Sequence, residues 1–247
     1  MKKTNETPAN SLCLTFNKSI PFTLGFKSKD IVRFVYLATF LQPDEKLKDR
    51  NGRYIEWCDL PRVLGVDKYT LNDFMDNVRS NDLIQEDSSG RLSIRKNLFS
   101  TGDSDSHNNG YDRIYLSIDD IQELYETTSP LKHRVLGYLF MAIPYINKEL
   151  NCFCKNPSQV VADLIIPMSI REYCGFIGYD VAHYGDLEEA LLGLRFRDEP
   201  LITNINLVGK DAYFVNPRLY YGGSQRNVVY RYAGFEQPSI YSEGRAC

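Results

Sequence analysis

At 247 residues the chain is long enough for one large domain or two of ordinary size, and 43% hydrophobic against 25% charged residues excludes wholesale disorder. The formal net charge of −3 excludes a basic, sequence-indifferent nucleic-acid coat, because phosphate neutralisation supplies most of such affinity. Six cysteines with no apolar run behind Lys2 and Lys3, and no long apolar stretch anywhere, predict a reduced, cytoplasmic chain that does not enter a membrane.

Residues 1–11 are polar and read as a flexible N-terminus; a strand is expected at 12–16. A helix over 29–41 follows, with Ser28 as its cap and Ile31, Phe34, Val35, Ala38 and Leu41 on one face. A turn-rich basic loop with Arg50 and Arg53 then leads into Asp59-Leu60-Pro61-Arg62-Val63-Leu64-Gly65-Val66. There Asp59 is placed to cap a short helix, Pro61 needs no donor in its first turn, and Gly65 can take the left-handed conformation that reverses the chain. A second helix is expected over 70–80, capped by Thr70, with Leu71, Phe74, Met75 and Val78 facing inward. Residues 83–94 read as a hairpin turning at Ser88-Ser89-Gly90. Helix, turn, helix and hairpin in this order predict a first winged-helix domain over 12–98, whose second helix would enter a DNA major groove.

Residues 99–113 are small and polar and predict a linker. Asp103 and Asp105 alternate as calcium ligands do, but no loop-closing Glu follows, so no metal is expected. Beyond it, Ser117 caps a helix over 118–125, and Pro130 opens one over 131–143 that should pack Leu131, Val135, Tyr138, Leu139 and Ala142 and expose Lys132, His133 and Arg134. Cys152-Phe153-Cys154 has too tight a spacing for a structural zinc site, and half-buried free thiols are expected instead.

The organisation then repeats. A capped helix at 167–174 ends in Ile177-Gly178-Tyr179-Asp180, matching Leu64-Gly65-Val66-Asp67 position for position. A helix over 185–194 and a hairpin from 200–204 to 212–216 complete a second winged-helix domain over 114–223, followed by a tail at 224–247. The fold class expected is therefore α+β, helix-rich, with two tandem winged-helix domains.

No P-loop, dinucleotide glycine motif, zinc-protease motif or His-x-His pair is present, and the three histidines are scattered. A non-enzymatic protein without cofactor is expected. In the first domain Asn72 is suited to adenine, and Lys68 and Arg79 to phosphate or guanine, with Tyr69 and Thr70 beside them. A basic stripe of Arg50, Arg53, Lys68, Arg79, Arg91 and Lys96 would complete the contact surface. The helix at 185–194 carries Asp186, Glu188 and Glu189, so the second domain is expected to dimerise, or to touch DNA through Arg171, Lys210 and Arg218.

Two winged-helix units in one chain of this length resemble the initiator proteins of plasmids and phages. The second half resembles the replication-protein group of small Gram-positive plasmids. That likeness rests on Met168-Ser169-Ile170-Arg171-Glu172-Tyr173-Cys174, the Ile177-Gly178-Tyr179 turn and Phe214-Val215-Asn216-Pro217-Arg218-Leu219-Tyr220-Tyr221-Gly222-Gly223. The resemblance implies origin or operator binding to double-stranded DNA by a non-enzymatic protein, often as a homodimer. The acidic helix at 185–194 departs from that pattern. A second class stays open, a winged-helix adaptor or inhibitor that binds a host protein and not DNA.

Overall fold

The computed structural model describes residues 13–17, 26–95, 98–101, 113–147, 149–207, 210–220 and 233–235. The fold is mixed α+β, with seven α-helices and short antiparallel sheets among the described residues. It divides into two compact units, 1–20 with 33–127 and 21–32 with 128–247. The helix Ser28–Ala38 (α1) contributes its first turn to the second unit and the remainder to the first.

In the first unit α1 supplies Phe34, Val35 and Ala38 from the face expected to be buried, and Tyr36 and Leu37 are buried as well. The chain then runs through bridged segments at 46–48 and 54–55, where Leu47 N–H donates to Leu92 O at 2.8 Å and Leu92 N–H to Ile55 O at 3.0 Å. The short helix Leu60–Leu64 (α2) follows, with Pro61 near its start, and ends at Gly65 with φ 63°. Asp59 does not cap it. Its carboxylate turns back to accept from Glu56 N–H at 3.1 Å and pairs with Arg62 at 3.0 Å, and that arginine holds it below the ordinary carboxylate range.

The next helix, Lys68–Ser80 (α3), begins two residues earlier than Thr70, because Asp67 is its cap and accepts Thr70 N–H at 2.8 Å. Strands Ile84–Glu86 (β2) and Leu92–Ile94 (β3) form the hairpin, in register Ile84 to Ile94, with Gly90 at φ 80° in the turn. Asp87 organises that turn, accepting from Ser89 and Arg91 N–H, and the Lys46 ammonium at 2.9 Å is the first cause holding its carboxyl down to about 2.

The boundary expected at 99–113 differs from the observed division. Residues Phe99–Thr101 form a strand (β4) that pairs with Cys13–Asn17 (β1), and Arg113–Ser117 (β5) pairs on the other side of β1. Residues 102–112, 1–11 and most of the 224–247 tail lie outside the described residues. The helix Ile118–Thr127 (α4) groups with the first unit for the same reason, and its Tyr125 stacks on Tyr36 at 3.9 Å and donates to Leu64 O at 2.9 Å. Long-range strand pairing and an aromatic stack thus place β5 and α4 with the first unit, not the second.

The second unit repeats the element order. Helix His133–Met141 (α5) leads through bridges at 146 and 152–154 to helices Ile170–Ile177 (α6) and Tyr184–Leu192 (α7). Ser169 and Glu172 form a capping box on α6, and Gly178 ends it at φ 67° and ψ 25°, within a few degrees of Gly65. Strands Arg195–Phe196 (β6) and Glu199–Pro200 (β7) turn through Arg197 and Asp198, both at positive φ as a tight hairpin of this kind requires. Strands Ile202–Leu207 (β8) and Lys210–Val215 (β9) make the longer hairpin, and β9 takes residues 151–153 on its other edge. Tyr173 and Phe153, both fully buried with rings 5.3 Å apart, anchor the core.

The face expected for α5 is met at buried Leu139 and Ala142 and at exposed Lys132 and Arg134, but not at its start. Leu131 lies before the helix and is 91% exposed, whereas His133 is buried and bonds Thr128 O at 3.1 Å through Nε2. Starting the helix at His133 turns Leu136, Gly137 and Phe140 inward.

Candidate nucleic-acid interface

Helix α3 is fixed from beneath by Leu71, Phe74 and Val78, all fully buried, and this stripe decides which side chains face water. Lys68, Tyr69, Thr70, Asn72, Asp73, Asp76 and Arg79 are exposed. Tyr69 stands 86% exposed on the first turn, and among the described residues of the first unit it is the only large aromatic or aliphatic side chain left so. Thr70 is less available than expected, since its hydroxyl as well as its N–H bonds Asp67.

Two arginines of the expected stripe rest on aromatic rings. The Arg79 guanidinium lies 4.1 Å from the Trp57 ring, and the Trp57 indole N–H donates to Glu86 on β2 at 3.1 Å. Arg91 lies 4.1 Å from Tyr54, which Lys48 also approaches at 4.7 Å. Contact with a ring face restrains a guanidinium without using its N–H donors. The pairings join residues more than 20 apart, so no local pattern in the chain announces them.

The rest of the stripe is not assembled as expected. Arg50 is drawn to α4, bonding Glu126 at 2.7 Å and Gln122 at 3.1 Å, so its charge is already matched. Arg53 remains exposed, with Asp49 at 4.0 Å. Lys96 lies outside the described residues. In the second unit, Arg171 is exposed and 5.7 Å from the Tyr184 ring. Arg218 is largely buried against Glu199 at 3.5 Å, which corrects its reading as a DNA contact: its charge has a carboxylate partner and little access to solvent. Lys210 opens β9, and its side chain lies outside the described residues.

Helix α7 offers little to a phosphate. Asp186 and Glu189 are exposed, His183 pairs with Asp186 at 3.1 Å, and Glu188 accepts from the Tyr213 hydroxyl, whose pKa burial and that carboxylate push up. Among the described residues no group of three or more His, Cys, Asp or Glu is placed to hold a metal ion. Cys152 and Cys154 are buried free thiols, and the Cys154 thiol, ahead of burial, pushes the Cys152 thiol up, so Cys152 is not a ready nucleophile. Among the described residues no helix is long and apolar enough to cross a membrane.

Comparisons with protein-family models, with curated proteins and with solved structures found no match to this chain.

Proposed function

We propose that the chain is a sequence-specific DNA-binding protein without catalytic activity, a replication initiator or transcriptional regulator of a mobile element, built from two winged-helix units. The observation that carries this is the first turn of α3, where Lys68, Tyr69 and Asn72 stand exposed on a helix locked by its buried stripe. The N-terminal turn of a recognition helix is the part that reaches base edges in this class of protein. The hairpin beside it carries Arg91 on Tyr54, and Arg79 on Trp57 completes two pre-oriented guanidinium groups for the phosphate backbone. Asp73 and Asp76 oppose nonspecific backbone contact, which favours selective over indiscriminate binding. The test is selection of a bound duplex from random sequence, followed by affinity titration against salt. Affinity should fall steeply with salt, and Lys68→Ala and Arg91→Ala should each lower the log–log slope by about 0.9 while leaving the folded state intact. If neither variant changes affinity or slope, the α3 and hairpin face is not the contact surface.

A second reading, a protein-binding adaptor that does not touch DNA, is favoured by one specific feature. Arg50, Arg62, Lys46 and Lys48 each meet a carboxylate of the same unit within 3.0 Å, so much of the positive charge is internally matched. Under that reading no duplex is recovered from the selection.

A further inference from the structure

The first turn of α3 places an exposed aromatic side chain among carboxylates. Asp67 caps the helix, accepting Thr70 N–H at 2.8 Å and the Thr70 hydroxyl as well, and that hydroxyl is the first cause holding its carboxyl below the ordinary range. The helix end is thus occupied by the protein's own anion and closed to a backbone phosphate. Tyr69 follows, 86% exposed, and at helical spacing it shares a face with Asn72, Asp73 and Asp76, all exposed. Leu71, Phe74 and Val78 are buried on the opposite side, so the helix cannot turn to cover the ring. Lys68 and Arg79, about three turns apart, line one flank of the outward face, and Tyr69 stands at its centre.

Resting on the DNA-binding reading of α3, we infer that Tyr69 reads thymine: its ring packs on a thymine 5-methyl group in the major groove, beside an adenine bonded by Asn72. The target is then a duplex with neighbouring A·T pairs under the first turn of α3. Charge selects the group that the ring meets. Asp67, Asp73 and Asp76 surround Tyr69 with negative charge, which disfavours a phosphate at that point and leaves the base edges as its partner. Of what the major groove presents, the thymine methyl is the one apolar group, the rest being hydrogen-bond donors and acceptors. A tyrosine ring supplies a large contact area at the cost of fixing two torsions. The centre of the face carries no arginine, the commonest reader of guanine, whereas Asn72 has the paired donor and acceptor that adenine requires. Lys68 and Arg79 on the flank remain for the phosphates on either side of the groove.

The test uses the full chain and the duplex recovered by selection from random sequence, with each thymine replaced in turn by deoxyuridine, which lacks only the methyl. At one or more positions the parent should lose about fourfold in affinity, the effect of one apolar carbon no longer removed from water. Tyr69→Ala should bind the thymine duplex at least about fourfold more weakly than the parent and bind the thymine and deoxyuridine forms equally at that position. Tyr69→Phe should keep the discrimination, because the ring and not the hydroxyl makes the contact. Far-UV circular dichroism checks that both variants are folded, and the deoxyuridine scan of the parent needs no variant at all. A parent indifferent to every deoxyuridine, discrimination that survives in folded Tyr69→Ala, its loss in folded Tyr69→Phe, or the separated single strand bound as tightly as the duplex would each overturn the assignment of Tyr69 while DNA binding itself stands. Recovery of no duplex would overturn the DNA-binding reading and this assignment together.

Discussion

Replacing Gly137 by alanine is expected to destabilise the protein by about 3 kcal/mol, measured as a fall in the urea midpoint at unchanged m-value. Gly137 lies inside α5, where alanine alone would be worth about 1 kcal/mol of added helix stability. The packing reverses that sign. A Cβ at this position would sit 1.9 Å from the Ser28 carbonyl oxygen and 2.3 Å from its carbon, well inside any real contact distance. The obstacle is backbone in the first turn of α1, so no side chain can rotate away, and the two helices must move apart at the cost of their buried contacts. Gly175, interior to α6 with nothing within 4 Å of its would-be Cβ, is the control. Gly175→Ala should be neutral or stabilising by up to about 1 kcal/mol. If Gly137→Ala matches Gly175→Ala, the first turn of α1 does not cross α5 at this distance.

Gly137 also marks where reading the chain stops working. The features legible in sequence are those set by a few neighbouring residues: the left-handed Gly65 and Gly178, the Gly90 hairpin and the order of helices in each half. Each follows from backbone geometry that one residue type satisfies far better than others. Some failures are local, as at Asp59 and Thr70, where a residue three positions away takes the bond; the larger ones involve partners distant in the chain. The start of α5 differs from expectation because an apolar Leu131 looks like core, whereas the helix begins two residues later and buries His133. The grouping of β5 and α4 depends on β1, about 100 residues away, and on the Tyr36–Tyr125 stack.

The candidate site divides in the same way. Lys68, Tyr69 and Asn72 were readable because helix phase alone exposes them once Leu71, Phe74 and Val78 are buried. Arg50 and Arg218 were not, since a free cation and one matched by Glu126 or Glu199 look identical in a sequence. The segment at 156–166, which leaves Val160, Val161, Leu164 and Ile166 exposed, was likewise invisible, because Val, Leu and Ile in a row suggest core.

Asn147 ties down the first part of that segment, and Asn147→Ala is the second substitution with a large expected effect. Asn147 is fully buried and uses its whole amide: Nδ2 donates to Pro157 O and Gln159 O, and Oδ1 accepts from Glu149 N–H at 3.0 Å and Leu150 N–H at 2.9 Å. Alanine removes four bonds and leaves part-buried backbone groups on both sides without their partner, a loss of about 3 kcal/mol at a net of roughly 1 kcal/mol per bond, offset in part by water. Local unfolding should accompany the global loss. Limited proteolysis within 156–166 and amide exchange at Val161 and Ile166 should both accelerate. Asn147→Asp separates donor from acceptor. Its carboxyl, when protonated, can still donate to one carbonyl, whereas the ionised form is fully buried and faces two carbonyl oxygens that repel it, set against the two N–H groups on its other oxygen. Its folded-state pKa should therefore lie above the unfolded value near 3.9. The sign follows: the variant keeps most of its stability below about pH 4 and loses it as pH rises through the folded-state value, relative to the parent at each pH. A flat difference between Asn147→Asp and parent across that range, together with an Asn147→Ala variant within about 0.5 kcal/mol of parent, would mean that the amide does not hold the segment.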